Sequence, residues 1–298
     1  MADDLALAFQ PVGDLAMVTA AAEQAARHWN LACPTLIRLG MNGVFASDQI
    51  VLRVSRRTAS VANSLRLSER LDVAGVRVAR AARTDVFVTT DGLEVRAWER
   101  IEHDVTIPVD WERVGAMVAK VHALDASSVG HPLPFCGDFP WWDFDTMMHE
   151  ATNLDAATID ALKDARRNNA WWLLAARTRP LVLCHGDVHP GNVLVDANGP
   201  VLVDWDLVCL GPAAWDHAPL MTWTRRWGGE PGIYEAFNSG YGVPLDDDFV
   251  LAIAQMRLLS ATLMRLQRAR LDPRQHDEAS LRLRYWRGEP DAPMWHPQ

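Results

Sequence analysis

Lysine is almost missing from this chain. Only Lys120 and Lys163 are present, so nearly all positive charge is arginine. No run of about 18 or more apolar residues occurs, which excludes a membrane-spanning helix at the level of sequence. Cysteine is sparse. Cys33, Cys136, Cys184 and Cys209 show no paired spacing, so a disulfide framework is excluded and a reducing cytoplasm is the expected location. The opening residues Met1-Ala2-Asp3-Asp4 are acidic and do not read as a signal peptide. Basic residues number 29 against 38 acidic ones, giving a net charge of −9. Duplex nucleic acid would be repelled by that field, whereas a cationic ligand would be weakly favoured. No internal repeat and no low-complexity tract is seen.

The chain has 298 residues, of which 49% are hydrophobic and 22% charged. That balance is ordinary for a folded protein and excludes disorder and collagen. At roughly 150 residues per domain the length predicts two lobes. Tryptophan occurs 13 times, more than the 8 Phe and 3 Tyr together. Most of these rings are expected to pack, and some can serve a cationic ligand.

Apolar spacing predicts a helix over 14–29. Short strands follow at Thr35–Leu39, Gly43–Ala46 and Ile50–Val54, with a turn at Ser47-Asp48. A helix is expected over Ser60–Val73, ended by Gly75. Strands are expected at Val78–Ala82, Val86–Thr89 and Leu93–Trp98, the last two joined by Asp91-Gly92. From about residue 109 the period is helical, with helices over Trp111–Leu124 and Ala156–Ala176. Between them, 131–142 reads as a loop. A strand at Leu181–Leu183 precedes a polar turn, and Val193–Val195 and Val201–Val203 flank Asn198-Gly199 as a hairpin. Helices dominate after 213. The expected plan is α+β and bilobal, with a small β-rich N-terminal lobe over 1–101 and a larger, mostly helical lobe over 102–298.

One stretch carries chemistry. It runs Leu183-Cys184-His185-Gly186-Asp187-Val188-His189-Pro190-Gly191-Asn192-Val193, and Asp204-Trp205-Asp206 follows. The Pro-Gly turn can fold Asn192 back toward Asp187, and Asp204 ends the return strand. Two carboxylates and an amide oxygen then converge. Hard oxygen donors of this kind suit Mg²⁺ shared with phosphates. Phosphoryl transfer needs such a site, because metal and positioning supply most of its catalysis. Asp187 is the candidate to take or orient the acceptor's hydroxyl proton. Asn192 and Asp204 are the candidates to hold Mg²⁺. His185 and His189 are read as braces of the loop. With Cys184 and Cys209 they match no zinc spacing. Asp206 is either a further carboxylate near the metal or a turn residue. The His-x-Asp-x-x-x-x-Asn spacing parallels the protein-kinase catalytic loop, with Asp204 at the place of the kinase metal aspartate.

The segment His185-Gly186-Asp187-Val188-His189-Pro190-Gly191-Asn192 with Asp204-Trp205-Asp206 resembles the aminoglycoside phosphotransferase and choline kinase family. Weaker similarity extends over roughly 35–220. Gly40-Met41-Asn42-Gly43-Val44-Phe45 resembles the family's phosphate-covering loop, which implies nucleotide contacts for Gly40, Asn42 and Gly43. Leu52-Arg53-Val54 resembles the strand that carries the nucleotide lysine. Met117–His122 resembles a family helix, and Asp216 after Gly211-Pro212 resembles an aspartate that anchors the C-terminal lobe. The resemblance implies a kinase-like fold with ATP or GTP as donor. In that fold the strand over 95–101 forms a hinge, with backbone groups of Glu99 and Ile101 offered to a purine.

Two departures stand out. Arginine replaces lysine at Arg53, presenting a planar fork in place of a point charge. The family's partner glutamate falls at Ser64, with Glu69 five residues on as the available substitute. Carboxylates mixed with indoles, at Trp142, Asp143, Asp145, Trp215 and Trp223, are the candidate acceptor contacts. The expected enzyme is a Mg²⁺-dependent phosphotransferase acting on a hydroxyl of a cationic or polyhydroxylated small molecule, an aminoglycoside or amino sugar first. The alternatives are a metabolic kinase for a sugar, choline-like or homoserine-like alcohol, and a nucleotide-binding pseudokinase. Neither nucleic acid nor membrane is an expected partner.

Overall fold

A computed structural model of the chain describes residues 12–56, 61–130, 132–151 and 154–296. The acidic start at 1–4, the expected helix start at Ser60 and the first position of the 131–142 loop lie outside the described residues. The chain forms two compact units. The first comprises Met1–Asp110, Ser127–Pro132 and Gly191–Asp206, and the second Trp111–Ala126, Leu133–Pro190 and Leu207–Gln298.

In the first unit, strands β1 (Thr35–Leu39), β2 (Gly43–Ser47), β3 (Ile50–Arg56), β4 (Phe87–Val88) and β5 (Leu93–Glu99) form one sheet in the order β1-β2-β3-β5-β4. Every neighbouring pair is antiparallel. Period-two alternation divides its residues between two faces. Phe45, Leu52, Val54, Leu93, Val95 and Ala97 turn to a core closed by helix α1 (Leu15–His28). That helix presents Val18, Ala21, Ala22, Ala25 and Ala26, small enough to lie close against the sheet. Asp14 caps it, accepting from the Met17 N–H at 2.8 Å. The intervening residues of β3 and β5 place Arg53 directly across from Arg96. Helix α2 (Val61–Val73) follows β3.

The expected strand at Val78–Ala82 is not a strand. Val78 makes one bridge to Leu202 and Ala81 one to Trp98, so the segment passes from one partner to another. Arg77 fixes it by donating to Asp196 Oδ2 (2.6 Å) and the Gly199 carbonyl (2.7 Å). Both acceptors lie at the turn between β7 (Val193–Asp196) and β8 (Gly199–Leu202), the hairpin expected around Asn198-Gly199.

The second unit is helical. It contains α3 (Trp111–His122), α4 (Phe144–Glu150), α5 (Ala156–Asn169), α6 (Trp171–Thr178), α7 (Ala214–Trp227), α8 (Ile233–Tyr241), α9 (Asp247–Leu271) and α10 (His276–Trp286). The single helix expected over 156–176 divides at Ala170, where the Leu173 N–H turns back to the Ala170 carbonyl in a tighter turn. Two three-residue strands, β6 (Val182–Cys184) and β9 (Cys209–Gly211), pair antiparallel with Cys184 opposite Cys209. Helices α3 and α8 approach so closely that a Cβ at Gly115 would meet the Phe237 carbonyl at 2.0 Å. One at Gly240 would meet the Glu112 carbonyl at 1.7 Å.

Much of the tryptophan is core. Trp142, Trp172 and Trp215 lie 5.4 to 5.6 Å apart, ring to ring. Helix α9 is long and apolar enough to cross a membrane by composition, yet 67% of that window is buried within the protein, as befits a core helix.

Candidate active site

In the first unit the Asp204-Trp205-Asp206 turn follows β8. Asp204 has φ +66°, a left-handed backbone uncommon outside glycine. Asn192 is 5% exposed, and its carbonyl accepts from the Val203 N–H at 3.0 Å. That bond is the continuation of the hairpin ladder, and it sets Asn192 beside the residue preceding Asp204. The two candidate metal ligands are thus neighbours by register. Their donor set, one amide and one carboxylate oxygen on fixed backbone, fits Mg²⁺.

Arg53 reaches the same turn. Its Nη1 donates to Asp206 Oδ1 at 2.7 Å, its Nη2 bonds Asp206 Oδ2, and Nη2 lies 3.2 Å from Asp204 Oδ1. The partner of Arg53 is therefore Asp206, neither of the two alternatives left open by the sequence, a pair with Glu69 or no ion pair at all. Glu69 is exposed on α2. Ser64 accepts instead from Arg96 Nη1 at 2.8 Å, and Arg96 also pairs with Glu94 at 3.2 Å. Burial alone would raise the Asp206 carboxyl. Arg53, Arg96 and the Asn42 side chain outweigh it and hold it below the usual carboxylate range. Asn42 of the glycine-containing loop thus meets Asp206 directly. A side chain at Gly40 would point into open space, whereas one at Gly43 would strike Val18 at 2.2 Å. The Glu99 N–H donates to the Arg80 carbonyl at 2.8 Å, so that group is not offered to a purine. The Ile101 carbonyl accepts from His103 Nδ1 at 3.3 Å.

In the second unit Asp187 lies in the loop after β6. Gly186 adopts φ +95°, and a Cβ there would lie 2.0 Å from the Leu207 carbonyl, so only glycine fits. The loop hangs on Asp216 of α7. That side chain is fully buried and accepts from the His185 and Gly186 N–H groups, each at 2.8 Å, and from His122 Nε2 at 3.1 Å. His122 in turn reaches the Tyr241 hydroxyl at 3.0 Å. His185 is fully buried, and its Nδ1 accepts from the Asp187 N–H at 3.2 Å.

The Asp187 carboxylate is gripped on both oxygens. Arg257 Nη2 donates to Oδ1 at 2.7 Å and His189 Nε2 lies 3.3 Å from Oδ2. Arg257 Nη1 also donates to the Gly186 carbonyl at 3.0 Å, and its guanidinium lies 4.6 Å over the Trp215 ring. Burial pushes the Asp187 carboxyl up, but His189, Arg257 and His185 outweigh it and hold it well below the ordinary range. Cys184, His122 and Asp216 offer ligand atoms within 4.8 Å of one another, yet Asp216 already accepts three hydrogen bonds and burial keeps the Cys184 thiol protonated.

The expected acceptor contacts divide. Trp223 stacks on the His189 ring at 5.0 Å and 9°, so it lies beside the catalytic loop. Trp215 is fully buried, and the Arg257 guanidinium lies over its ring. Trp142 is committed to packing, its Nε1 donating to the Cys136 carbonyl at 2.8 Å. Asp143 caps α4 by accepting from the Thr146 N–H and hydroxyl. Asp145 pairs with Arg166. Arg257 was missed. Its signal was present, since it is the single charged residue between Asp248 and Arg265 in an apolar helix.

The family model described as the phosphotransferase enzyme family matches residues 43–259. The chain belongs to that family and is a small-molecule phosphotransferase by class. No curated protein matches the sequence. Among solved structures, a spectinomycin phosphotransferase in its AMP-bound complex is similar at TM-score 0.62 and 15% identity, covering 88% of this chain and 94% of that one. A choline/ethanolamine kinase family protein from Mesorhizobium loti is similar at TM-score 0.59 and 22% identity, covering 85% and 87%. The GDP and kanamycin complex of an aminoglycoside 2″-phosphotransferase is similar at TM-score 0.61 and 15% identity, covering 91% and 98%. These likenesses establish the α+β, kinase-like fold.

Proposed function

We propose that this protein is a Mg²⁺-dependent kinase that moves the γ-phosphate of ATP or GTP to a hydroxyl of a small molecule. The observation that carries the reading is the Asp187 carboxylate, kept ionised and aimed by Arg257 and His189, five residues before Asn192 in the chain. Asn192 and Asp204 would hold the metal, which supplies charge neutralisation on the phosphates when bound. Arg53, braced by Asp206, supplies a fixed positive fork toward phosphate oxygens.

Asp187 orients the acceptor hydroxyl. As the hydroxyl oxygen bonds to the γ-phosphorus, the bond from that phosphorus to the β–γ bridging oxygen breaks. The hydroxyl proton passes to the Asp187 carboxylate, and the nucleoside diphosphate leaves. A carboxylate with so low a proton affinity accepts that proton late, which suits a loose transition state. A pseudokinase is disfavoured, because the Asp206 partner restores the anchored cation that Ser64 and Glu69 do not provide. The acceptors named for similar structures, spectinomycin and kanamycin, put aminated sugars on the list to be screened, with amino alcohols and homoserine beside them. A cytoplasmic location is proposed on the four unpaired cysteines.

Coupled nucleoside-diphosphate release with Mg²⁺ and ATP or GTP tests the reading. Turnover with an acceptor that falls at least a thousandfold in Asp187→Asn supports it. Turnover that persists in Asp187→Asn refutes the assignment of Asp187, and loss of nucleotide binding in the parent refutes the whole.

A further inference from the structure

We propose that the acceptor phosphorylated at Asp187 carries an anionic group, a carboxylate or a phosphate close to its reacting hydroxyl, and that Arg257 receives it. The inference rests on the phosphotransferase reading and names the charge of its acceptor.

A guanidinium has five N–H donors. Arg257 uses one on Asp187 Oδ1 and one on the Gly186 carbonyl. Among the described residues the other three have no protein partner, and the side chain keeps 17% of its surface exposed. Trp215 closes one face of the guanidinium. What remains is a cationic fork, fixed from beneath, on the carboxylate that must orient the acceptor. A hydroxyl held by Asp187 lies next to it. Planar two-oxygen anions match such a fork in both charge and spacing.

The same arrangement works against an ammonium acceptor. Asp187 is the carboxylate presented there, and the Arg257 guanidinium already balances its charge. Asp216, the other carboxylate at the loop, is buried and saturated by the His185 and Gly186 N–H groups and His122. Among the described residues the charged groups that touch Asp187 and Asp216 are Arg257 and the histidines His122, His185 and His189, none of which carries negative charge. Asp143 and Asp145, expected from sequence as acceptor contacts, cap α4 through Thr146 and pair with Arg166.

Two matched acceptor sets test this. The first is glycerol, D-glycerate, sn-glycerol 3-phosphate and 2-amino-1,3-propanediol. The second is D-glucose, D-glucuronate, D-glucose 6-phosphate and D-glucosamine. Each is assayed for diphosphate release with Mg²⁺ and ATP or GTP, with the nucleotide-induced rise in Tm measured in parallel. At least one anionic member should exceed its neutral counterpart tenfold or more in kcat/KM and its ammonium counterpart a hundredfold. The carboxylate and phosphate arms decide between the two anions. Arg257→Gln should lower kcat for every acceptor, because Asp187 loses its grip, and should in addition bring the KM of the anionic members level with that of the neutral ones; Arg257→Lys should retain part of the KM preference, and both should keep the nucleotide-induced rise in Tm.

Preference for the ammonium members would overturn the proposal while leaving the phosphotransferase reading intact. So would an unchanged anion preference in both Arg257 variants. Turnover of no member would overturn the acceptor assignment, and absence of the nucleotide-induced rise in Tm as well would take the phosphotransferase reading with it.

Discussion

Arg53 and Arg96 stand directly opposite each other on β3 and β5, two guanidiniums on one face of a sheet. Like charges so placed repel. The repulsion is offset by Asp206 on Arg53 and by Glu94 and Ser64 on Arg96. In Asp206→Ala two partly buried cations lose their shared carboxylate. Denaturant unfolding should show a loss of about 3 kcal/mol, the usual cost of stripping one partner from a buried pair. Nucleotide affinity, read by titrated Tm, should weaken as the Arg53 fork loses its aim.

Gly186→Ala should separate folding from activity. Its backbone conformation alone costs about 1 kcal/mol or more for a side chain, and the new methyl meets the Leu207 carbonyl. Displacement of the adjacent Asp187 by even a fraction of an ångström should lower kcat by about a hundredfold. Circular dichroism at 25 °C should remain native-like while diphosphate release collapses.

Stability should fall on mild acidification through His217. Burial, the largest cause, and nearby His122 depress its imidazole to about 4. Its Nδ1 pairs with Asn238 Oδ1 at 2.8 Å, whereas the buried Nε2 has no partner among the described residues. A histidine held neutral in the fold takes up its proton more readily when unfolded. The loss therefore begins as pH drops through 6.5 and is complete near 4, amounting to about 3 kcal/mol. Unfolding free energies measured from pH 7 to 4 should slope downward in the parent, and His217→Gln should flatten much of that slope.

Thiol reactivity should divide one to three. Cys33 is exposed, whereas Cys136, Cys184 and Cys209 are buried, and burial raises the Cys136 and Cys184 thiols well above their ordinary range. A thiol reagent should modify one equivalent in the native protein and four in guanidinium chloride.

The geometry of the candidate segment was legible because its residues are contiguous. Residues His185 to Asn192 and Asp204 to Asp206 are fixed relative to one another by a short hairpin whose turn chemistry is written locally. The sheet was legible for the same reason, through alternation at β2, β3 and β5. Long-range choices were not. That Arg53 pairs with Asp206 and not Glu69 depends on register 153 residues apart. That Arg257 grips Asp187 depends on how α9 docks. The three-residue strand β9 carries too few residues to show a period, and the break at Ala170 leaves the helical pattern intact on both sides. Indoles and carboxylates of the 141–145 segment looked like ligand contacts by composition, while caps, ion pairs and ring packing had claimed most of them.

Seventy residues of chain separate Asp187 from the guanidinium that orients it. During synthesis, the five-stranded sheet and the whole segment from His185 to Asp206 leave the ribosome before α9 does. At about 5–20 residues per second the delay is several seconds. Through that interval the loop exists without its grip, and its carboxylate has no fixed direction. Competence is thus acquired only once α9 has emerged and docked. In the full chain, Arg257→Ala should bind nucleotide while transferring phosphate far more slowly.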